Sequence, residues 1–168
     1  AMQEALQARL RAHGYAQYEV SAYARTGFQC RHNRNYWEFG DYLGIGAGAH
    51  AKLTSSDAIT RSHKPRHPRG YIAAAGDATA AAPRTLTDDE RVFEFLLNVM
   101  RLTHGFRRGL FGGRTGLASD RLDAALAAAQ ARNFIECRDG RIAPTPLGRQ
   151  FLNDLLLTVL PSKPETVA

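Results

Sequence analysis

Three clusters between Gln17 and Leu53 hold most of the residues in this chain that could do chemistry. They are Cys30-Arg31-His32-Asn33, Asn35-Tyr36-Trp37, and the run from Gly44 to His50. Cys30-x-His32 offers a thiolate and an imidazole to a metal. A structural zinc site needs four ligands at telling spacings. No second pair stands nearby, and His50, His63, His67 and Cys137 are scattered, which counts against zinc. A haem iron asks for less, because one His can hold it while aromatics cover the ring faces. His32, followed one helical turn later by Tyr36 and Trp37, would put ligand and aromatics on one side of a helix. The competing use of these residues is structural, with His32 and Asn33 capping the helix and Trp37 in the core. On residue types alone the structural use has the stronger case.

The third cluster sits in a strand predicted over 41–54. Gly44, Gly46 and Gly48 would share one face of it at period two. A face without side chains lets another body approach the backbone closely. That body is either a packed neighbour or a ligand, and the pattern favours neither. The run is not a dinucleotide fingerprint, because Ala51-Lys52-Leu53-Thr54 continues the strand where a helix should open.

A chain of 168 residues supports one ordinary domain or two small ones. No run of eighteen apolar residues exists, so no spanning helix is predicted. The start lacks the pattern of a signal peptide. Two Cys make no disulfide framework, which favours a reducing cytoplasm. Net charge is +6 with 22 Lys+Arg, densest over Arg61–Arg69. That run reads foremost as a solvated loop, and otherwise as an attractor of nucleic acid, phosphate or propionate.

The elements that must position these residues are legible in order. A helix from Gln3 to His13 stops at Gly14. A strand follows over Tyr15–Tyr23, then a short helix from Asn33 to Phe39. Ile59–Arg61 returns antiparallel to the glycine strand, and Tyr71–Ala75 makes a short helix. Thr87-Asp-Asp-Glu90 is a capping box that opens a helix to Thr103. A short helical turn over Arg107–Gly112 is predicted to break at Gly112-Gly113. Ser119 caps a third helix with Leu122, Ala125, Leu126 and Ala129 on one face. Phe134–Arg138 and Arg141–Ala143 form a hairpin about Asp139-Gly140. Thr145-Pro146 opens a last helix that runs to Leu160 and stops at Pro161.

From Asp88 this order is a winged-helix pattern, which raises nucleic-acid binding. The outward face of the third helix is Asp120, Asp123, Ala124, Ala127, Ala128 and Gln130. It lacks the residues that read base edges or hold phosphates, so a packing or docking domain is expected and no specific nucleic acid.

QYEVSAYAR-x-G-x-x-C-x-HNRNYW-x-x-GDYLGIGAGAH closely resembles the HemW proteins. These are the haem-chaperone branch of the oxygen-independent coproporphyrinogen III oxidase-like radical SAM family. The branch's HNxxYW element is matched here by His32, Asn33, Tyr36 and Trp37. HPRGY (67–71), FEFLLNVMRL (93–102), RTGL (114–117) and TPLGRQFLNDLL (145–156) extend the resemblance over nearly the whole chain. The family's CxxxCxxC cluster motif is absent, and helical register runs from the first residues without a cap. The chain is therefore expected to be the back part of a longer protein.

The implied architecture is an α/β remnant of a partial (β/α) radical SAM barrel over 1–62. A linker over 63–85, a helical, winged-helix-like C-terminal domain over 86–161 and a tail over 162–168 follow. The resemblance makes His32 the haem-binding residue and metal ligand, with Asn33, Tyr36 and Trp37 around it. It makes Gly46, Ala47 and His50 the wall of an S-adenosylmethionine pocket, although Ala51 replaces the family's usual Gly. A 4Fe-4S cluster belongs to the full-length parent, and this segment is not expected to act as an enzyme alone. The implied function is haem delivery to acceptor proteins. The alternatives are part of a coproporphyrinogen III oxidase and, behind it, a winged-helix nucleic-acid binder. Localisation would be cytoplasmic or membrane-peripheral. An open barrel edge at Gln17–Tyr23 would allow self-association.

Overall fold

The computed structural model describes residues 2–77 and 82–160. The elements are α1 (Met2–Ala12), β1 (Ala16–Glu19), β2 (Ala22–Ala24), α2 (Arg31–Trp37), β3 (His50–Thr54), β4 (Ile59–His63), α3 (Pro68–Ala73) and β5 (Arg84–Thr85). They continue as α4 (Asp88–Val99), β6 (Phe106–Arg107), α5 (Gly109–Thr115), α6 (Ser119–Ala131), β7 (Ile135–Arg138), β8 (Arg141–Pro144), α7 (Pro146–Gln150) and α8 (Leu152–Thr158). The described residues up to Phe39 and from Val92 onward pack as one unit, and Gly40–Arg91 packs as another. The strands form three small antiparallel sheets, with no closed barrel among the described residues.

In the first unit the core centres on α4, whose Val92, Phe95, Leu96 and Val99 are buried. The Phe95 ring meets Phe39, Phe106 and Phe111 edge-on at centroid distances of 5.9, 5.1 and 5.3 Å. Edge-to-face pairs add to what burial of the rings contributes. The sheet of this unit has the order β6-β8-β7. Asp139 and Gly140 turn the β7–β8 hairpin with φ of 51° and 70°, as a type I′ turn requires. Thr145 Oγ1 accepts from the Gly148 N–H at 3.0 Å and opens α7, with Pro146 at its first position. The predicted last helix breaks at Phe151 into α7 and α8. Its predicted stop at Pro161 lies outside the described residues.

Several expectations change here. The single strand over Tyr15–Tyr23 is a hairpin. The Glu19 carboxylate accepts from the Ser21 N–H and hydroxyl at 3.1 and 2.9 Å and folds the chain back on itself. The outer edge of β1 is not open. Thr103 N–H donates to the Tyr18 carbonyl at 3.0 Å, and Glu19 bridges to Leu102. Helix α5 runs through Gly112-Gly113 and ends at Gly116, which supplies the left-handed stop with φ 73°. Helix α6 is preceded by Ala118 as its cap, with no side-chain cap bond.

In the second unit β3 and β4 pair from His50↔His63 to Thr54↔Ile59, and β5 adds to β4 at Thr60↔Thr85. The predicted strand over 41–54 survives only as β3 and a bridge between Tyr42 and Lys52. The glycines between are not a strand face, because Gly46 and Gly48 have φ of 102° and 70° and bend the backbone. Lys52 is 1% exposed. Its Nζ donates to Asp41 at 2.8 Å and to Thr54 at 3.1 Å. The capping box forms as expected: Thr87 N–H donates to the Glu90 carboxylate at 2.9 Å, and Glu90 N–H donates to Thr87 Oγ1 at 3.3 Å.

Candidate functional site

Helix α2 begins two residues before the expected Asn33. Its cap is Cys30, in extended conformation with no side-chain cap bond. Asn33 is therefore inside the helix, and its Nδ2 donates to the Tyr18 hydroxyl at 3.3 Å. Phe39 ends the run with φ 57°, a conformation a bulky residue seldom holds. Burial at 1% exposure against Phe95 fixes it there.

Four residues apart on one helix, His32 and Tyr36 share a face. His32 is exposed and Tyr36 half-buried. Among the described residues no hydrogen bond holds the His32 ring, so its nitrogens are available to a ligand. Trp37 is turned into packing. The Arg101 guanidinium lies over its indole at 4.4 Å, and Tyr36 meets it edge-on at 4.9 Å. Behind them Glu19, 2% exposed, faces Arg101 at 4.0 Å. Trp37 Nε1, Arg101 Nε and Glu19 Oε2 are buried without hydrogen-bond partners. Such groups are costly unless water or a closer approach satisfies them. Glu19, Tyr18 and Arg101 were not singled out from the sequence. Their contact with α2 depends on the β1–β2 turn and on the end of α4, which no local pattern announces.

Next to α2, in the same unit, lies an open cleft of about 400 Å³. Leu102, Phe106 and Leu110 line it with Arg34, Arg107 and Arg141. Arg34 pairs with Glu38 four residues on.

The other sequence-derived site residues lie in the second unit. Gly46 and Ala47 belong to the loop that enters β3, and His50 is the first residue of that strand. Ala49 N–H donates to the Gly46 carbonyl at 3.2 Å, and Gly48 N–H to the Pro65 carbonyl at 2.9 Å. Ala47 and His50 are exposed. A Cβ at Gly46 would meet open space, whereas one at Gly44 would collide with the His50 carbonyl. The His50 ring stacks on His63 across the β3–β4 pair, with centroids 5.8 Å apart. Among the described residues no three His, Cys, Asp or Glu side chains gather to hold a metal. Cys30 and Cys137 are free and exposed. No helix among the described residues is long and apolar enough to cross a membrane.

Residues 86–151 match the HemN C-terminal domain. The fold resembles that of the Escherichia coli coproporphyrinogen III oxidase HemN, described as a radical SAM enzyme. The TM-score is 0.61 at 15% identity, covering 94% of this chain and 39% of that one. In sequence the chain is 44% identical to the Escherichia coli heme chaperone HemW over 149 residues, which is 88% of this chain and 38% of that protein. It is 42% identical to the Haemophilus influenzae heme chaperone HemW, covering 85% of this chain and 37% of that protein. To the heme chaperone HemW of Mycobacterium tuberculosis it is 34% identical, covering 94% and 38%. The chain belongs to the HemW-like family and corresponds to its C-terminal portion. It spans about two fifths of the length of these curated relatives.

Proposed function

We propose that this chain is the haem-handling C-terminal part of a protein that carries haem to acceptor proteins. His32 offers the iron an imidazole nitrogen, Tyr36 stands beside it, and Asn33 and Trp37 hold the helix from behind. The observation that carries this reading is α2 itself. It leaves His32 exposed and without a hydrogen bond one turn before Tyr36, on a helix pinned by Tyr18 and Arg101. The similarity to proteins named heme chaperone HemW supports it. The coproporphyrinogen III oxidase reading has less support, from a fold likeness at 15% identity and the HemN-type C-terminal domain over 86–151.

Gly46, Ala47 and His50 would form a wall for S-adenosylmethionine, supported by the open side of Gly46 and the exposure of the other two. An iron–sulfur cluster does not fit this chain's residues, because Cys30 and Cys137 are its only cysteines. The order α4, β6, α5, α6, β7, β8 supports a winged-helix-like domain over 86–161. Residues 1–62 would be a barrel remnant and 63–85 a linker, and the tail expected over 162–168 lies outside the described residues. The exposed α6 residues Asp120, Asp123 and Gln130 favour docking over nucleic acid. Self-association through the hairpin would use the β2 edge.

Titration of the chain with hemin, followed by addition of apomyoglobin, tests the function. The expected result is a saturable one-to-one Soret shift and release of haem to the globin. Absence of saturable binding contradicts it.

A further inference from the structure

The sheet of the first unit carries a row of like charges. In the register of β6, β8 and β7, Arg107 stands opposite Arg141, and Arg141 stands opposite Arg138. The neighbouring rung pairs Phe106 with Ile142, both buried, so the arginine rung has the outward face. Like charges directly opposite destabilise a sheet. Among the described residues no carboxylate pairs with any of the three. Arg108, the next residue, does have one in Asp123.

Two of these arginines line the cleft beside α2. Arg141 Nη1 is spent on the His104 and Gly105 carbonyls, at 3.2 and 3.1 Å. Its other nitrogens and the whole Arg107 guanidinium are left to a ligand. Beside them the lining mixes the apolar Leu102, Phe106 and Leu110 with Tyr18, Gln29 and His104. Arg34, on α2 two residues beyond His32, closes the far side with its partner Glu38. Guanidinium forks match carboxylates in bidentate geometry. A volume of about 400 Å³ admits one edge of a large ring or a small molecule whole.

We propose that this cleft binds the carboxylate-bearing edge of an apolar ring molecule, with Arg107 and Arg141 gripping the carboxylates. The choice of a porphyrin as that molecule rests on the haem reading of α2. The three apolar side chains Leu102, Phe106 and Leu110 give the face of a ring something to rest on, which a phosphate backbone does not need.

The test uses metal-free protoporphyrin IX, followed by its fluorescence, because it needs no axial ligand. Arg107 is exposed and stands opposite a like charge, so Arg107→Ala should not lower the melting temperature. It should weaken protoporphyrin binding about tenfold, the effect of one charge-assisted hydrogen bond. His32→Ala should leave that binding intact. Protoporphyrin dimethyl ester, which lacks the charges for both arginines, should bind the parent at least as weakly as protoporphyrin binds Arg107→Ala. Equal binding of the acid and the ester, or no loss in Arg107→Ala, overturns the proposal. So does displacement of protoporphyrin by duplex DNA at physiological salt. Loss of hemin binding in His32→Ala together with wild-type protoporphyrin binding in Arg107→Ala would sink the cleft and spare the haem ligand. The opposite pair of results would sink the ligand and spare the cleft.

Discussion

The Arg101 guanidinium lies 4.4 Å from the centre of the Trp37 indole while the buried Glu19 carboxylate faces it at 4.0 Å. One cation thereby ties the α2 aromatic to the β1–β2 turn. Arg101→Ala removes the cation from the ring and leaves Glu19 buried without its counter-charge. The expected cost is about 2 kcal/mol, below the range for a fully buried pair because Arg101 is partly exposed. Glu19→Gln in the same background should recover part of it, since the stranded charge is gone. Denaturant unfolding of the two single variants and the double variant measures the coupling.

Asp41 should make the second unit sensitive to acid. Partial burial raises its pKa, but hydrogen bonds from Lys52 Nζ, the Thr54 hydroxyl and the Thr54 N–H, with the lysine charge, bring it below the ordinary carboxylate value. A lowered folded pKa contributes stability that is present above the unfolded value, about 3.9. That stability is lost as pH falls through the folded value. Asp41→Asn should flatten this acid limb and lower stability at neutral pH, because Lys52 stays buried without an anion. Thermal melts from pH 3 to pH 7 read both effects.

The capping box should be worth about 1 kcal/mol. Thr87→Ala removes the acceptor for the Glu90 N–H. Glu90 is held below its usual pKa, chiefly by the hydrogen bond from the Thr87 backbone and also by Arg84. Its contribution is accordingly present above about pH 4.5 and lost below as the carboxyl protonates. Chemical denaturation of Thr87→Ala and Glu90→Gln at pH 7 checks the magnitude.

Gly148 has no room for a side chain, since a Cβ there would run into the Phe134 carbonyl. Gly148→Ala should cost about 2 kcal/mol through forced backbone movement. Gly46→Ala meets no such neighbour, and its cost should come from φ 102° alone. Comparing the two melting temperatures separates steric clash from backbone strain.

The parts of the fold that the sequence announced are those set by a few neighbouring residues. Thr87-Glu90, Asp139-Gly140 and Thr145-Pro146 each carry their own geometry, so their elements began or turned where expected. The glycine run misled because period-two spacing looks like a strand, while the positive φ of Gly46 and Gly48 leaves no trace in residue order. The Tyr15–Tyr23 hairpin was hidden because its turn is made by a buried Glu19 side chain, not by Gly or Asn. The two-residue strand β6 is defined only by its partner β8, so the arginine rung could not be seen before the pairing was known. For the candidate site, helix α2 and its His32–Tyr36 spacing were legible. The contacts of Tyr18, Glu19 and Arg101 behind it were not, because they join segments distant in sequence.

The assignment of His32 as haem ligand is tested most directly by hemin titration of the chain beside His32→Ala, reading the Soret band and the iron's spin state. His32 is exposed, so the substitution should leave the melting temperature unchanged. The predicted result is that the wild-type chain shifts the Soret band in a saturable one-to-one manner. His32→Ala should lose that shift or show the altered spin state of a missing imidazole. Identical spectra and affinities for the two proteins would contradict the assignment.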